Sequence, residues 1–366
     1  MVACLPLVLL SCIGGGQPTG GWSGSIVHNG IIYTGTRDGR MVAINASSRE
    51  EQWQWPDTTG VRSLIYATPV VHGDLVYVGT YNGQVYALTL DNGAERWVYP
   101  RTGAVGAIVG TPVVVNETIY VSSSDSTIYA LDTTYGDLKD EYEILDEKGQ
   151  RHEKIWTSPV VQDGTVYVST LDGYIYALST ETGELEWSFK AEAGLASAPA
   201  IYQDTVFAGS FDLYLYAIEI GSNVSMWKFP KEEPAGNWFW ASPLVSDGIV
   251  YAGCLDGTLY AIEAETGEEL WGFDAAGPIV SPPILTNNLL VVIDESGNAY
   301  VFAIGAETGG QGVPLRVIPI GASVRSSFCA QGDLIYVRTE NDSVYVVDIE
   351  KGEIVEDWPL SLIAEG

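Results

Sequence analysis

Trp238, Phe239 and Trp240 are consecutive, and nowhere else in the 366 residues do three aromatic side chains stand together. Rings of this kind grip a peptide strand or a sugar ring where they line the mouth of a channel, and otherwise they fill a core; both readings are open at the level of sequence. Trp22 and Trp156 occupy the position of Trp240 in the repeat described below, so the candidate binding residues are Trp22, Trp156, Trp238, Phe239 and Trp240. Residues for covalent or proton-transfer chemistry are scarcer. There is no Gly-x-Ser-x-Gly elbow, no His-Glu-x-x-His pair and no phosphate loop, and paired acids such as Glu268-Glu269 fall in turn or edge positions where solvation accounts for them. The three histidines, His28, His72 and His152, are scattered, so no metal cluster is expected. Cys254 and Cys329 belong to different repeats at positions that do not correspond, which predicts a separation too large for a disulfide. No catalytic base emerges, and the expectation is a protein that is not an enzyme.

Val2 to Ile13 is apolar but too short to cross a bilayer. It reads as an export signal, and Leu9-Leu10-Ser11-Cys12 resembles a lipobox, in which Cys12 is lipidated after cleavage; Cys4 would leave with the signal. The glycine-rich stretch that follows reads as a flexible tether. The expected organisation is a signal and lipobox over residues 1–12, a tether over 13–21 and a single domain over 22–363. Such a chain is exported and lipid-anchored at the cell envelope, on its periplasmic or extracellular face, and touches the membrane only through its lipid.

Forty-seven acidic against 17 basic residues give a formal charge of -30, which repels nucleic acid and anionic headgroups. A cationic protein patch, divalent ions or saline surroundings would suit that charge, and so would solubility alone. With 41 glycines, 21 tyrosines and 11 tryptophans but only 3 methionines, the composition describes many short strands and tight turns.

The elements that must position the aromatics announce themselves as a repeat. Residues 67–100, 157–190 and 241–274 align without a gap, and weaker copies cover 25–56, 110–144, 197–230, 281–317 and 326–360. Each unit holds two β-branched and aromatic runs around a hairpin signal such as Asn82-Gly83, Asp38-Gly39, Asp172-Gly173 or Asp256-Gly257. A second turn follows, as at Asp91-Asn92-Gly93, and then a last strand carrying a tryptophan; the segment ahead of Pro69 and its counterparts is expected to supply the remaining strand. Four strands per unit cannot bury both sheet faces alone, and radial closure solves this for every unit at once. The predicted fold is all-β, an eight-bladed β-propeller of four-stranded antiparallel blades, with Ile354 to Ile363 as its own last strand and no strand exchange between the termini.

The strings 87–97, 177–187 and 261–271 resemble the tryptophan-docking motif of the pyrroloquinoline-quinone repeat family, whose members include quinoprotein alcohol dehydrogenases and the propeller lipoprotein of the outer-membrane β-barrel assembly machinery; the likeness is closest in character to the latter. It covers everything after the tether and speaks to fold more than to activity. Trp53, Trp97, Trp187, Trp227 and Trp271 are then structural, each docking on the neighbouring blade. The third and seventh repeats lack the tryptophan, with Tyr142 a stand-in for the first, and those blades are expected to be the loosest. A quinoprotein dehydrogenase of this family needs a quinone, calcium, an aspartate base and in many members a disulfide between adjacent cysteines. This sequence has no Cys-Cys pair and no matching ligand set, so neither the quinone nor calcium is expected.

Departures from the repeat are where function can be added. Besides the aromatics, Gly136 to Lys154 forms an acidic insertion, read as a docking loop or a solvated excursion, and Gly305 to Arg316 replaces the docking motif of the seventh repeat, as a rim site or as decay. The expected function is a monomeric, non-catalytic scaffold that binds envelope or extracellular proteins, with a carbohydrate-binding or small-ligand propeller and a degenerate quinoprotein as alternatives.

Overall fold

The computed structural model describes residues 22–56, 63–145, 154–222, 224–304 and 312–363. Eight antiparallel sheets follow one another along the chain, each a meander in which every strand pairs with the one before it, save for the last short strand of blade 8. Blade 2 is typical, with strands Val70–His72, Leu75–Gly79, Val85–Thr89 and Glu95–Tyr99. The other blades begin at Ser25, Val113, Val160, Ala200, Leu244, Ile284 and Cys329. First strands of neighbouring blades lie against one another around the axis, so they are innermost and the fourth strands face outward. This is the eight-bladed propeller expected from the repeat, with one correction of detail: the first strand follows Pro69 and its counterparts and does not precede them. Proline has no N–H to give a ladder and holds the residue before it extended, so it stands at the strand's start.

The middle strands read as unbroken apolar runs because both of their faces are covered. In blade 2, Tyr77, Ala87 and Trp97 face blade 3, while Val76, Val78 and Leu88 face blade 1. The buried hydrophobic residues accordingly form eight clusters, one per seam. A register shift after Ala87, repeated after Ala43, Ala130, Ala177, Ala217 and Ala261, kinks the third strand against the fourth. Opposite that alanine sits the docking tryptophan, paired as Ala87 with Trp97, except in blade 3, where Ala130 faces Asp140.

Each docked indole meets the second turn of the next blade. Trp53, Trp97, Trp187 and Trp227 donate their Nε1 protons to the carbonyls of Leu90, Thr133, Ser222 and Ala264 at 2.5 to 3.1 Å. The ring lies flat enough on the turn glycine that a Cβ on Gly93 would come 2.5 Å from Trp53; that glycine also has φ +68°, so two constraints exclude any other residue. In blade 3 the dock is filled from two residues further along, by Tyr142 opposite Ile128, which sends its hydroxyl to the Thr180 carbonyl at 3.1 Å beside Gly183. In blade 7 the same slot holds Arg316, paired with Val301 and lying over Gly352. Neither blade has an empty dock.

Closure between blades 8 and 1 adds polar contacts to an apolar seam that packs Ile32, Val42 and Ile44 against Tyr336, Val344 and Trp358. The fourth strand of blade 8 is split into Glu353–Ile354 and Leu360–Ser361, both pairing with Ser343–Asp348, and no strand is exchanged between termini. In seven blades the amide at the tip of the hairpin between second and third strands donates to a carbonyl in the segment leading into that blade, as Tyr81 does to Leu64. In blade 1 the equivalent amide, of Arg37, donates at 3.0 Å to both oxygens of Asp342 in blade 8. Asp342 is in turn ion-paired with Arg338, only 2 % exposed. Arg40 Nη2 reaches the Leu362 carbonyl at 2.6 Å, and Arg49 Nη1 the Asp357 carbonyl at 2.6 Å.

The seams also carry tyrosines that the fold keeps protonated. Burial raises the Tyr77 pKa from 10.0 to about 12, helped by Asp74 and Asp132, and burial does the same for Tyr142, also to about 12. A tyrosine whose folded-state pKa lies above its unfolded value supports the fold below pH 10 and withdraws that support as pH climbs toward 12. Alkaline unfolding is therefore expected to run cooperatively with tyrosinate formation in this window. Circular dichroism and absorbance recorded together test it, and tyrosinate appearing well below the loss of structure would contradict it.

Candidate functional site

Before each first strand the chain crosses from the outer edge back to the axis as an extended segment, whose side chains alternate between seam and funnel. The seam-facing column reads Ile65, Ile108, Ile155, Leu195, Phe239, Ile279 and Val324, each no more than 1 % exposed. The next residue faces the axis, and blade by blade that column reads Trp22, Tyr66, Val109, Trp156, Ala196, Trp240, Val280 and Arg325. All eight line one cavity of about 400 Å³ at the funnel mouth. Two residues on, the column turns small and hydroxylic, with Thr68, Thr111, Ser158, Ala198, Ser242, Pro282 and Ser327 deeper in the same cavity.

The hydroxyl column binds the innermost strands together. Thr111 Oγ1 accepts from the Thr68 amide at 3.3 Å, Ser158 Oγ from the Thr111 amide at 2.9 Å and Ser242 Oγ from the Ala198 amide at 3.0 Å. In each case the hydroxyl is used as an acceptor from the neighbouring blade.

The mouth is two-sided. Over blades 7, 8 and 1, the Arg325 guanidinium lies 5.4 Å from the Trp22 ring, is ion-paired with Glu295, and meets Glu340 at 3.2 Å. Elsewhere the wall is aromatic. Trp22 meets Tyr66 edge-on at 6.3 Å, and Tyr66 meets the hairpin-tip Tyr81 at 5.3 Å. Across the funnel the hairpin-tip Phe211 packs on Trp238 at 4.7 Å and on Trp240 at 6.0 Å with the planes 23° apart.

Of the five aromatic candidates, Trp22, Trp156 and Trp240 are thus brought together on one cavity wall. Trp238 stands outside that wall, half-buried against Phe211. Phe239 points into the seam, 1 % exposed and 5.8 Å from Tyr260, so it is a core residue and offers nothing to a ligand. The signal was in the sequence, since its column is aliphatic in the other repeats. Trp53, Trp97, Trp187, Trp227 and Trp271 all lie in seams, with Gly312 beneath Trp271. The acidic stretch from Gly136 is not a free loop throughout: Leu138–Glu143 is the fourth strand of blade 3, and residues 146–153 lie outside the described residues. Cys12, with the whole signal and tether, and residues 305–311 also lie outside them.

Cys254 sits under the funnel with its thiol donating to the Asn237 carbonyl at 3.2 Å. Burial, reinforced by Asp256, pushes its pKa up, which makes it an inert packing group and not a nucleophile. Among the described residues no group of three or more His, Cys, Asp or Glu side chains is placed to hold a metal ion. Sequence reading missed Tyr66, Arg325 and Glu295 on the cavity wall; the first two share the column of Trp22, and aligning all eight lead-in segments identifies them.

The family model for the outer membrane protein assembly factor BamB matches residues 16–161 and 148–357. BamB from Moraxella catarrhalis superposes with a TM-score of 0.69 at 18% identity, over 88% of this chain and 93% of that one. The computationally designed Ika8 protein gives 0.71 at 17% identity, over 90% and 96%. The quinohemoprotein alcohol dehydrogenase from Comamonas testosteroni gives 0.66 at 14% identity, over 89% of this chain and 70% of that one. No curated protein matches the sequence. At these identities the solved structures speak to fold alone; the family match, spanning nearly all of the propeller, establishes that the chain belongs to the family of the outer membrane protein assembly factor BamB.

Proposed function

We propose that this chain is a non-catalytic scaffold, tethered at the envelope through a lipid on Cys12, which binds envelope proteins at the aromatic side of its funnel rim. One observation carries the reading: core columns repeat from blade to blade, whereas the rim does not. Hairpin-tip aromatics occur in two blades, as Tyr81 and Phe211, beside Tyr66 and Trp238, where the same position elsewhere is Arg37, Ser124, Leu171, Leu255, Glu295 or Glu340. Clustered, half-exposed aromatics on a rigid scaffold are the anchors that protein interfaces favour. Membership in the assembly-factor family supports the same reading.

The fold's other use, quinone chemistry, does not fit these residues. Among the described residues Glu295 is the sole carboxylate on the cavity wall, and it is committed to Arg325, so these residues offer neither a calcium ligand set nor a free general base. Site-specific photocrosslinking in the native envelope tests the proposal. A crosslinker at Phe211 or Trp238 is expected to trap one and the same protein of the barrel-assembly machinery, whereas a crosslinker at Leu185, exposed on a fourth strand, traps none. Equal capture from all three positions would overturn the rim assignment, and Cys12→Ala is expected to move the chain from the membrane to the soluble fraction.

A further inference from the structure

The cavity inside the rim has a chemistry of its own, although Tyr66 borders both and Phe211 backs its wall. In blade 5 both funnel-facing columns hold alanine, Ala196 and Ala198, while the blades on either side carry Trp156 over Ser158 and Trp240 over Ser242. The result is a gap flanked by two indoles at the mouth and two hydroxyls below. Trp240 is backed by Phe211 at 6.0 Å, which holds its ring in place. The hydroxyls of Ser158 and Ser242 each accept a backbone N–H and make no donation to the protein, so their protons are available to the cavity. Thr111 stands in the same condition.

Aromatic faces with O–H donors beneath them suit a flat molecule that is apolar on its faces and hydroxylated at its edges. Charge narrows the class further. Arg325 is already neutralised by Glu295 and Glu340, and the protein as a whole carries -30, so an anionic ligand is repelled. The volume, about 400 Å³, lies within the range of about 300–1,000 Å³ typical of small-ligand sites. We propose that the funnel is a binding site for a neutral saccharide, with a pyranose ring in the gap over blade 5 between Trp156 and Trp240 and its hydroxyls accepting from Ser158, Ser242 and Thr111.

The test titrates the full chain with a panel of neutral saccharides, maltose, cellobiose and chitobiose, alongside glucose 6-phosphate and a tryptophan-containing tripeptide, reading intrinsic fluorescence and calorimetry. At least one neutral disaccharide is expected to saturate the signal, with glucose 6-phosphate much weaker. Trp156→Ala and Trp240→Ala should each weaken it by roughly tenfold or more, the scale of one lost aromatic contact. Ala196→Trp, which fills the gap, should abolish binding while the melting temperature stays near that of the parent. Absence of saturation by every neutral saccharide, preference for the tripeptide, or binding undiminished in both tryptophan variants would each overturn the proposal. None of these outcomes touches the crosslinking result at Phe211, so the two readings fail separately.

Discussion

Asp342→Ala is expected to destabilise the propeller by about 3–5 kcal/mol, the usual cost of removing one partner from a buried ion pair. The carboxylate serves a buried guanidinium and a part-buried amide at once. It faces the Arg338 guanidinium, 2 % exposed, and accepts from the Arg37 amide across the closing seam at 3.0 Å. Alanine leaves the guanidinium without that charge and the amide without that acceptor. Asp342→Asn keeps an oxygen for the amide but no charge for the arginine, so it should fall between the parent and alanine. Urea denaturation reads the loss as a shift in midpoint, and limited proteolysis should cut first at the termini-bearing blades 8 and 1. A midpoint for Asp342→Ala within 1 kcal/mol of the parent would show that closure does not depend on this carboxylate.

Trp97→Ala should lose about 3–5 kcal/mol, the range for truncating a buried aromatic. The indole is 7 % exposed, packs 5.8 Å from Tyr77, and shares the Thr133 carbonyl with the Tyr77 hydroxyl at 3.0 and 3.1 Å. Trp156→Ala, by contrast, removes a ring from the cavity wall and should cost under about 1 kcal/mol, since it is a half-exposed side chain with no hydrogen bond across a seam. Thermal melts of the two variants, run together, separate a seam tryptophan from a funnel tryptophan. Similar losses would mean that the funnel ring is also needed to hold the blades together. Trp97→Phe keeps most of the buried area and should recover part of the deficit.

The blades were legible because one local pattern, from hairpin to turn glycine to tryptophan, recurs at nearly constant spacing and each copy specifies the same contacts. The substitute Tyr142 stands two residues past the tryptophan's place, opposite Ile128, so it was legible only as the nearest aromatic residue. Arg316 could not, because the residues before it break the spacing and an arginine gives no hint of lying where an indole usually does. The funnel was half legible: Trp22, Trp156 and Trp240 stood out as large rings, whereas Ala196 and Ala198 matter by being small, which no single-sequence motif records. Phe239 was misplaced for want of reading its column, where Ile65, Ile108 and Ile155 mark the seam. The closing contacts were beyond reach, since Arg37 and Asp342 are 305 residues apart and neither belongs to the repeat's own motif.

Every blade is built from one continuous stretch of chain, and this gives the molecule the mechanics of a split washer. Its cut faces meet through an apolar seam to which arginines add polar contacts, with no strand woven through to bind first to last. A polymerising ribosome would therefore deliver seven seams before the eighth, which needs blade 8 against blade 1, could form. The position of the cut is also arbitrary with respect to the sheets: fusing the present ends through a linker and opening the chain at another seam leaves all eight meanders whole.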